Sequence, residues 1–296
     1  MGGGTPSLVD PAALLAVLAQ APLTPDAEVT IECNPDDLDL DLARTYASGG
    51  VTRLSIGVQS LDVDVLKTLG REHNPQNVAT AVQAAKDAGL SVNIDLVYGA
   101  AGETLQQWER TVRAALELDP DHISAYGLTV EAGTPLASDP ARHPDDDVQA
   151  DEYQLVSQLL PEAGYEWYEI SNWAKPGHEC RHNLLYWTGG EYLAIGCAAH
   201  GHRSGRRFWN VRTPERYIAA IAEGRSPEAG SEELADGDRR VEGLQLAIRT
   251  REGIDAAEVP ESLLEELDGL VEKRSERVVL TERGKLLANE VAIRLR

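Results

Sequence analysis

The chain has 296 residues, which is enough for one large α/β domain with a small appendage. Its formal net charge of −22 argues against nonspecific binding to nucleic acid, which needs clustered Lys and Arg. It contains no apolar run long enough for a membrane span and no basic, apolar start typical of a signal peptide. We therefore expect a cytoplasmic protein that does not bind nucleic acid.

The three cysteines, Cys33, Cys180 and Cys197, form no CxxC pair. An odd number of cysteines at such spacing makes a poor disulfide framework. This pattern favours a reducing compartment.

Short β-branched runs alternate with helical patterns over the first half of the chain. The predicted strands cover 29–32, 53–58, 92–97 and 122–128, and the predicted helices cover 38–48, 63–69, 76–88 and 105–118. This alternation is typical of repeated βα units and a parallel sheet. Since chemistry in such folds gathers at the carboxyl ends of the strands, we expect the functional residues there.

The second half is less regular. A loop at 130–147 precedes a predicted helix at 148–160 and a strand at 165–170, and residues 171–207 are dense in His, Gly and aromatic side chains. Further helices are predicted at 214–224, 239–248, 263–273 and 281–295, with a strand at 278–280 and Thr281 as the N-cap of the last helix. We predict three regions: a barrel-type domain at 1–165, a site-rich region at 166–212, and a small helical, winged-helix-like domain at 213–296.

Several motifs occur in a fixed order along nearly the whole chain. They are GGGTP (2–6), IECNP (31–35), RLSIGVQS (53–60), LGREHN (69–74), NIDLVYG (93–99), HISAYGLTVEAGT (122–134), YEISNWAKPG (168–177) and HNLLYW (182–187). Together they resemble the radical S-adenosylmethionine (SAM) group that contains oxygen-independent coproporphyrinogen III oxidase and a heme chaperone branch. The resemblance implies an α/β fold, a partial (β/α) barrel of radical SAM type.

The resemblance also implies a SAM site. In the group, the glycine segment contacts the methionine end of SAM, and four further positions contact its polar groups. The matching residues here are Gly3, Gly4, Thr5, Glu32, Gln59, Arg71 and Asp95. Carboxylates and amides suit the amino group and ribose, and a guanidinium suits the carboxylate. Ion pairs or turn caps at the strand ends, and a flexible tail for the glycines, are the structural alternatives.

One departure from the group is large. Its members hold a [4Fe–4S] cluster on a CxxxCxxC loop after the first strand, upstream of GGGTP. That motif is absent here, and Cys33, Cys180 and Cys197 have the wrong spacing to replace it. We therefore expect a barrel without its first elements, no metal ligands, and no radical cleavage of SAM by this chain as written.

The HNLLYW motif marks the heme chaperone branch of the group. The resemblance implies that His182 binds heme, while Tyr186 and Trp187 offer flat apolar faces to the macrocycle. Zinc binding by His178, Cys180 and His182 is disfavoured because no second paired arm follows at zinc spacing. Two other segments depart from the group's pattern, GAAGET at 99–104 and GCAAHG at 196–201.

These motifs lead to one main hypothesis and two alternatives. The main hypothesis is a heme chaperone that delivers heme to respiratory apoproteins, with peripheral contact to membrane-bound acceptors and with SAM and a [4Fe–4S] cluster in intact relatives. The first alternative is the coproporphyrinogen III oxidase of porphyrin biosynthesis, an oxidative decarboxylase, which HNLLYW disfavours. The second is a truncated remnant without function.

Overall fold

A computed structural model describes residues 1–296 of the chain. The chain forms two compact units, Met1–Glu179 and Cys180–Arg296. No helix in either unit is both long enough and apolar enough to cross a membrane.

The first unit contains six strands and six α-helices. The strands are β1 (Thr30–Cys33), β2 (Arg53–Gln59), β3 (Ser91–Tyr98), β4 (His122–Gly127), β5 (Glu166–Glu169) and β6 (Asn172–Ala174). The helices are α1 (Pro11–Leu18), α2 (Leu40–Ser48), α3 (Val63–Thr68), α4 (Pro75–Asp87), α5 (Leu105–Glu117) and α6 (Asp146–Glu162). Single 3₁₀ turns lie at Pro6–Leu8, Leu136–Ser138 and Pro140–Arg142.

The six strands form one mixed sheet in the order β1-β2-β3-β4-β6-β5. Strands β1 to β4 run parallel because a helix connects each to the next, whereas β6 pairs antiparallel with both β4 and β5. Leu54, Ile56, Ile94 and Leu96 on the central strands are fully buried. The α/β fold predicted from the alternating pattern is confirmed, and burial of these side chains supplies its core.

Helix α5 shows how local sequence sets the packing. It begins at a capping box, in which the Thr104 hydroxyl accepts from the Gln107 amide and the Gln107 side chain accepts from the Thr104 amide. One face of the helix buries Trp108 and Val112. The Trp108 indole N–H donates to the Glu152 carbonyl on α6 at 2.8 Å, which joins α5 to α6.

The second unit contains smaller elements. The helices are α7 (Arg181–Trp187), α8 (Pro214–Ala222), α9 (Asp236–Ala247), α10 (Glu261–Glu266), α11 (Glu282–Leu286) and α12 (Ala288–Ala292), with a 3₁₀ turn at Ala256–Glu258. The strands are β7 (His200–Arg203), β8 (Arg206–Asn210), β9 (Glu228–Glu233), β10 (Ile254–Asp255), β11 (Val271–Arg274) and β12 (Arg277–Leu280). They form two three-stranded sheets, β7-β8-β9 and β10-β12-β11.

The β10-β12-β11 sheet with its helices forms the predicted winged-helix-like part. The Thr281 hydroxyl accepts from the Gly284 amide at 3.0 Å, which confirms its role as an N-cap. The helix predicted over 263–273 is wrong in its second half: α10 ends at Glu266, and Val271–Arg274 is a strand. Gly269 and Ser275 both have a positive φ, in the left-handed region. The turn at Ser275 connects β11 to β12, which pair antiparallel.

The pattern analysis did not predict the β7-β8-β9 sheet. In it, β9 pairs antiparallel with β8, so hydrogen bonds join residues on both sides of the boundary placed between 212 and 213. The compact unit itself begins at Cys180. Long-range strand pairing of this kind leaves little trace in a single sequence, since β9 is exposed and acidic.

Candidate functional site

A cavity of about 380 Å³ opens at the carboxyl ends of the parallel strands in the first unit. Six of the residues predicted to bind SAM line it: Gly4, Thr5, Glu32, Gln59, Arg71 and Asp95. Five further residues complete the lining: Cys33, Asn34, Ser55, Gly57 and Tyr126. Its volume is within the usual range for small-molecule sites, about 300–1,000 Å³.

The glycine segment lies beside β1. The Glu32 amide donates to the Met1 carbonyl at 3.1 Å, and the Gly3 amide approaches the Glu32 carboxylate at 3.3 Å. Gly3 and Gly4 have φ values of 85° and 128°, a region that L-residues rarely adopt. A side chain at Gly2 would collide with the Glu32 carboxylate. Glycine here therefore allows the backbone to approach Glu32 closely.

Gln59 stands at the end of β2 with a strained backbone. Its φ is 63°, which is uncommon for a residue other than glycine, and the register of β2 against β3 shifts between Ile56 and Gln59. Such strain persists only where the surrounding structure maintains it, and it concentrates at ligand sites.

Asp95 lies within the central strand β3 and not at its carboxyl end. Its two carboxylate oxygens accept hydrogen bonds from the Ser55 hydroxyl at 2.7 Å and the Asn93 amide at 2.8 Å. Desolvation and the nearby Asp95 carboxylate raise the pKa of Tyr126, on β4, to about 12. The Tyr126 hydroxyl is therefore neutral near pH 7.

The charges of the lining suit SAM. The cavity presents two carboxylates, Glu32 and Asp95, and one guanidinium, Arg71. SAM carries a sulfonium, an ammonium and one carboxylate, so its charges complement those of the lining. The residues present would hold SAM, with Glu32 and Asp95 available to its donors and Arg71 available to its carboxylate.

The cysteines do not fit an iron–sulfur cluster. Cys33 is buried in β1, and burial together with the Asp37 and Glu32 carboxylates raises the pKa of its thiol to about 12. Cys180 and Cys197 belong to the other unit. No set of three or more His, Cys, Asp or Glu side chains is arranged to hold a metal ion.

His182, the predicted heme residue, lies on α7 in the second unit. It is exposed, and its Nε2 is 2.9 Å from the Tyr186 hydroxyl one helical turn later. The Tyr186 ring contacts the Tyr192 ring edge-on, with centroids 4.6 Å apart. His182 and these aromatic rings form one accessible cluster.

A buried carboxyl pair lies near the turn that follows β3. Glu152 on α6 is fully buried and receives no side-chain hydrogen bond, whereas one oxygen of Glu103 accepts from the Ala100 amide at 3.2 Å. Burial, together with the nearby Glu103 carboxylate, raises the pKa of Glu152 to about 8. Burial likewise raises the pKa of Glu103 to about 7.

Sequence reasoning missed the buried polar residues of the central strands. Ser55, Asn93 and His122 are buried on β2, β3 and β4, and each is hydrogen-bonded to another polar side chain. One signal was available: polar residues interrupt otherwise apolar parallel strands, where both faces of the sheet should be apolar.

Comparisons with known proteins agree with this architecture. A family model of the Radical SAM superfamily matches residues 1–115. A heme chaperone HemW from Mycobacterium tuberculosis (strain CDC 1551 / Oshkosh) is 42% identical, and the alignment covers 98% of this chain and 78% of the relative. A HemW from Escherichia coli (strain K12) is 46% identical over 68% of this chain and 54% of its own length.

A solved structure shows the same fold. Coproporphyrinogen III oxidase (HemN) from Escherichia coli, described as a radical SAM enzyme, superposes with a TM-score of 0.85. That match covers 99% of this chain and 76% of the other chain at 23% sequence identity, so the likeness concerns the fold alone. The 42% identity to the Mycobacterium tuberculosis HemW, which extends over 98% of this chain, is what assigns the family: this chain belongs to the HemW heme chaperones of the Radical SAM superfamily.

Proposed function

We propose that this protein is a heme chaperone that binds heme through His182 and passes it to respiratory apoproteins, some of them contacted at the membrane surface. The observation that carries the proposal is the 42% identity to a HemW heme chaperone over 98% of the chain. We further propose that the strand-end cavity binds SAM. In relatives that carry the CxxxCxxC motif, a [4Fe–4S] cluster would add reductive chemistry to that site.

The geometry of α7 supports the heme part. His182 is accessible, and its imidazole is held at the edge of the Tyr186 ring, with centroids 4.9 Å apart. An imidazole nitrogen is an ordinary axial ligand of heme iron, and neighbouring aromatic faces suit the apolar macrocycle. The Tyr186 hydroxyl contacts His182 Nε2, so iron ligation through that atom requires this hydrogen bond to open.

The composition of the cavity supports the SAM part. Six residues from five separate stretches of the sequence meet there, and their charges complement those of SAM. Bound SAM would supply a sulfonium. The contribution of this chain is to bind and orient it: Arg71 would take the carboxylate, and Glu32 and Asp95 would take the hydroxyl or ammonium donors.

The test of the heme proposal is a titration followed by Soret absorbance. We expect the parent chain to bind heme and His182→Ala to bind about tenfold or more weakly, since one axial bond is lost. His200→Ala is the matched control, because His200 is also an exposed histidine of the second unit and stacks on Trp209. His178→Ala serves as a control in the first unit.

Equal heme affinity in all four proteins would contradict the proposal and leave the HNLLYW motif with a structural role. Transfer is tested by mixing the heme-loaded chain with an apocytochrome and measuring the acceptor's absorbance. Failure of transfer despite tight binding would remove delivery from the proposal and keep heme binding.

A decarboxylase role like that of the oxidase is not favoured by any side-chain observation. The likeness to HemN is one of fold, at 23% identity. We therefore propose no oxidative activity for this chain.

A further inference from the structure

A row of buried polar side chains crosses the central strands next to Asp95. Ser55, Asn93 and His122 are register partners on β2, β3 and β4, so their side chains share one face of the sheet. Tyr168 on β5 contacts His122 from the other side. We call these four residues the buried polar row; each is at most 8% exposed. Asp95 lies two residues beyond Asn93 on β3 and therefore faces the same way.

Hydrogen-bond chemistry sets one direction along this row. A carboxylate only accepts hydrogen bonds, so the atom of Asn93 that faces Asp95 at 2.8 Å is the amide nitrogen. The amide oxygen of Asn93 then faces His122 Nδ1 and the Ser124 hydroxyl. Because an oxygen cannot donate here, His122 Nδ1 must carry the proton.

The remaining imidazole nitrogen follows from the same reasoning. His122 is completely enclosed, and this burial, with the nearby Arg53 charge, holds its pKa well below the usual value, so the ring is neutral. With the proton on Nδ1, Nε2 is an acceptor, and the Tyr168 hydroxyl donates to it at 2.7 Å. The chain of hydrogen bonds thus runs from Tyr168 through His122 and Asn93 of the buried polar row to Asp95.

Two members of the buried polar row, Asn93 and Ser55, hold the carboxylate of Asp95 by hydrogen bonds. Asn93 donates to one oxygen and also, at 2.6 Å, to the Ser55 hydroxyl, which itself donates to the other oxygen of Asp95. Two of the roughly four lone-pair positions of the carboxylate are therefore held from within the sheet. The others are left for donors that enter the cavity, of which Asp95 is a lining residue.

We propose that Asn93 and His122 are positioning residues for Asp95: the neutral His122 orients the Asn93 amide, which holds the Asp95 carboxylate ready for the hydroxyl or ammonium donors of SAM. This inference rests on the proposed SAM site. Groups held by neighbouring side chains bind better because little ordering remains to be done when the ligand arrives.

The test compares two substitutions of nearly equal shape. His122→Asn keeps an N–H donor where Nδ1 stands, whereas His122→Leu removes it, and both leave Tyr168 without its imidazole partner. Isothermal titration of the full chain with SAM and with S-adenosylhomocysteine should show about tenfold or greater weakening for His122→Leu and at most about threefold weakening for His122→Asn.

A buried pair outside the cavity lining supplies the control. The Ser60 and Thr111 hydroxyls lie 3.2 Å apart, and Thr111→Val removes one buried hydroxyl away from the cavity lining. We expect this variant to bind SAM like the parent. Thermal unfolding of all variants separates loss of binding from loss of fold.

A spectroscopic measurement tests the row without any ligand. Long-range ¹H–¹⁵N correlation spectra of the parent should show His122 protonated on Nδ1 and unprotonated on Nε2. The opposite tautomer would overturn the positioning proposal whether or not SAM binds.

The other outcomes separate the two proposals. If the parent binds neither SAM nor S-adenosylhomocysteine, the proposed SAM site fails, and the tautomer still decides whether the row exists. If the parent binds and His122→Asn loses as much affinity as His122→Leu, the positioning role fails while the site stands.

Discussion

Residues 180–219 of the second unit differ from the first unit in what they bury and what they expose. The first unit encloses polar groups such as Asn93 and His122, both 1% exposed, and each has a defined partner. In the second unit, residues 180–219 bury no apolar side chain, while Leu193 and Ile195 are 67% and 74% exposed. The contrast is in keeping with the two proposed ligands, SAM in the prepared cavity and heme on the accessible surface.

The largest expected effect tests the difference in packing. Leu54 on β2 is fully buried, so Leu54→Ala should lower the free energy of unfolding of the first unit by about 2–5 kcal/mol. The control Ile195→Ala removes a similar amount of apolar side chain at an exposed position of the second unit, and should lower the free energy of unfolding of that unit by less than about 0.5 kcal/mol. Urea unfolding followed by tryptophan fluorescence measures both. Comparable losses would show that the exposed segment is packed in solution.

The next effect concerns the charge of the cavity. Asp95→Asn removes a carboxylate that accepts two hydrogen bonds and faces the proposed ligand, and should weaken SAM binding by about tenfold to a hundredfold. Glu117→Gln is the charge-matched control, because Glu117 is exposed on α5 and does not line the cavity. Titration calorimetry at fixed salt distinguishes them. An equal loss in both variants would indicate only a long-range electrostatic effect.

The buried carboxyl pair predicts a pH dependence of the first unit. The folded pKa values of Glu152 and Glu103, about 8 and about 7, lie above the ordinary value of 4.5. Their contribution to stability is therefore fully present below about pH 4.5 and is lost as the pH rises toward 8. Glu152→Gln should reduce this loss of stability with rising pH. At pH 8.5 it should raise the free energy of unfolding by about 1 kcal/mol, which corresponds to roughly 2–4 °C in Tm.

Melting curves at pH 5.5 and pH 8.5 check this prediction. Glu103→Gln should act in the same direction with a smaller effect, since its pKa is raised less. Glu117→Gln again serves as the control and should leave the pH dependence unchanged. A Glu152→Gln protein that keeps the parent's slope would contradict the predicted ionisation of the pair.

The smallest expected effect sharpens the account of the second unit. The Tyr186 hydroxyl contacts His182 Nε2, and Tyr186→Phe removes that hydrogen bond while keeping the aromatic face. Heme affinity should rise by about twofold to fivefold, because the cost of opening one exposed hydrogen bond is saved. Soret titration measures the change. A large fall would mean instead that the hydroxyl itself contacts the bound heme.

The fold of the first unit could be predicted because its signals are local. The alternating strand and helix patterns predicted four parallel strands whose ends lie within a residue or two of those of β1 to β4. The order of these strands placed Glu32, Gln59 and Asp95 toward the carboxyl ends of the sheet. The β7-β8-β9 sheet was missed, since its strands are short and join residues such as Phe208 and Ser231 across a helix. The break between α11 and α12 at Leu287 was also missed.

By itself the sequence determined the alternation of elements, the acidic charge and six of the eleven residues that line the cavity, because periodicity, composition and ordered motifs belong to the chain. Only the tertiary structure decided the environment of each group. Burial makes His122 neutral and makes the carboxyls of Glu103 and Glu152 weak acids. Register brings Ser55 and Asn93 onto Asp95. Desolvation and hydrogen-bond direction depend on what surrounds a side chain in space, which strand pairing and packing establish.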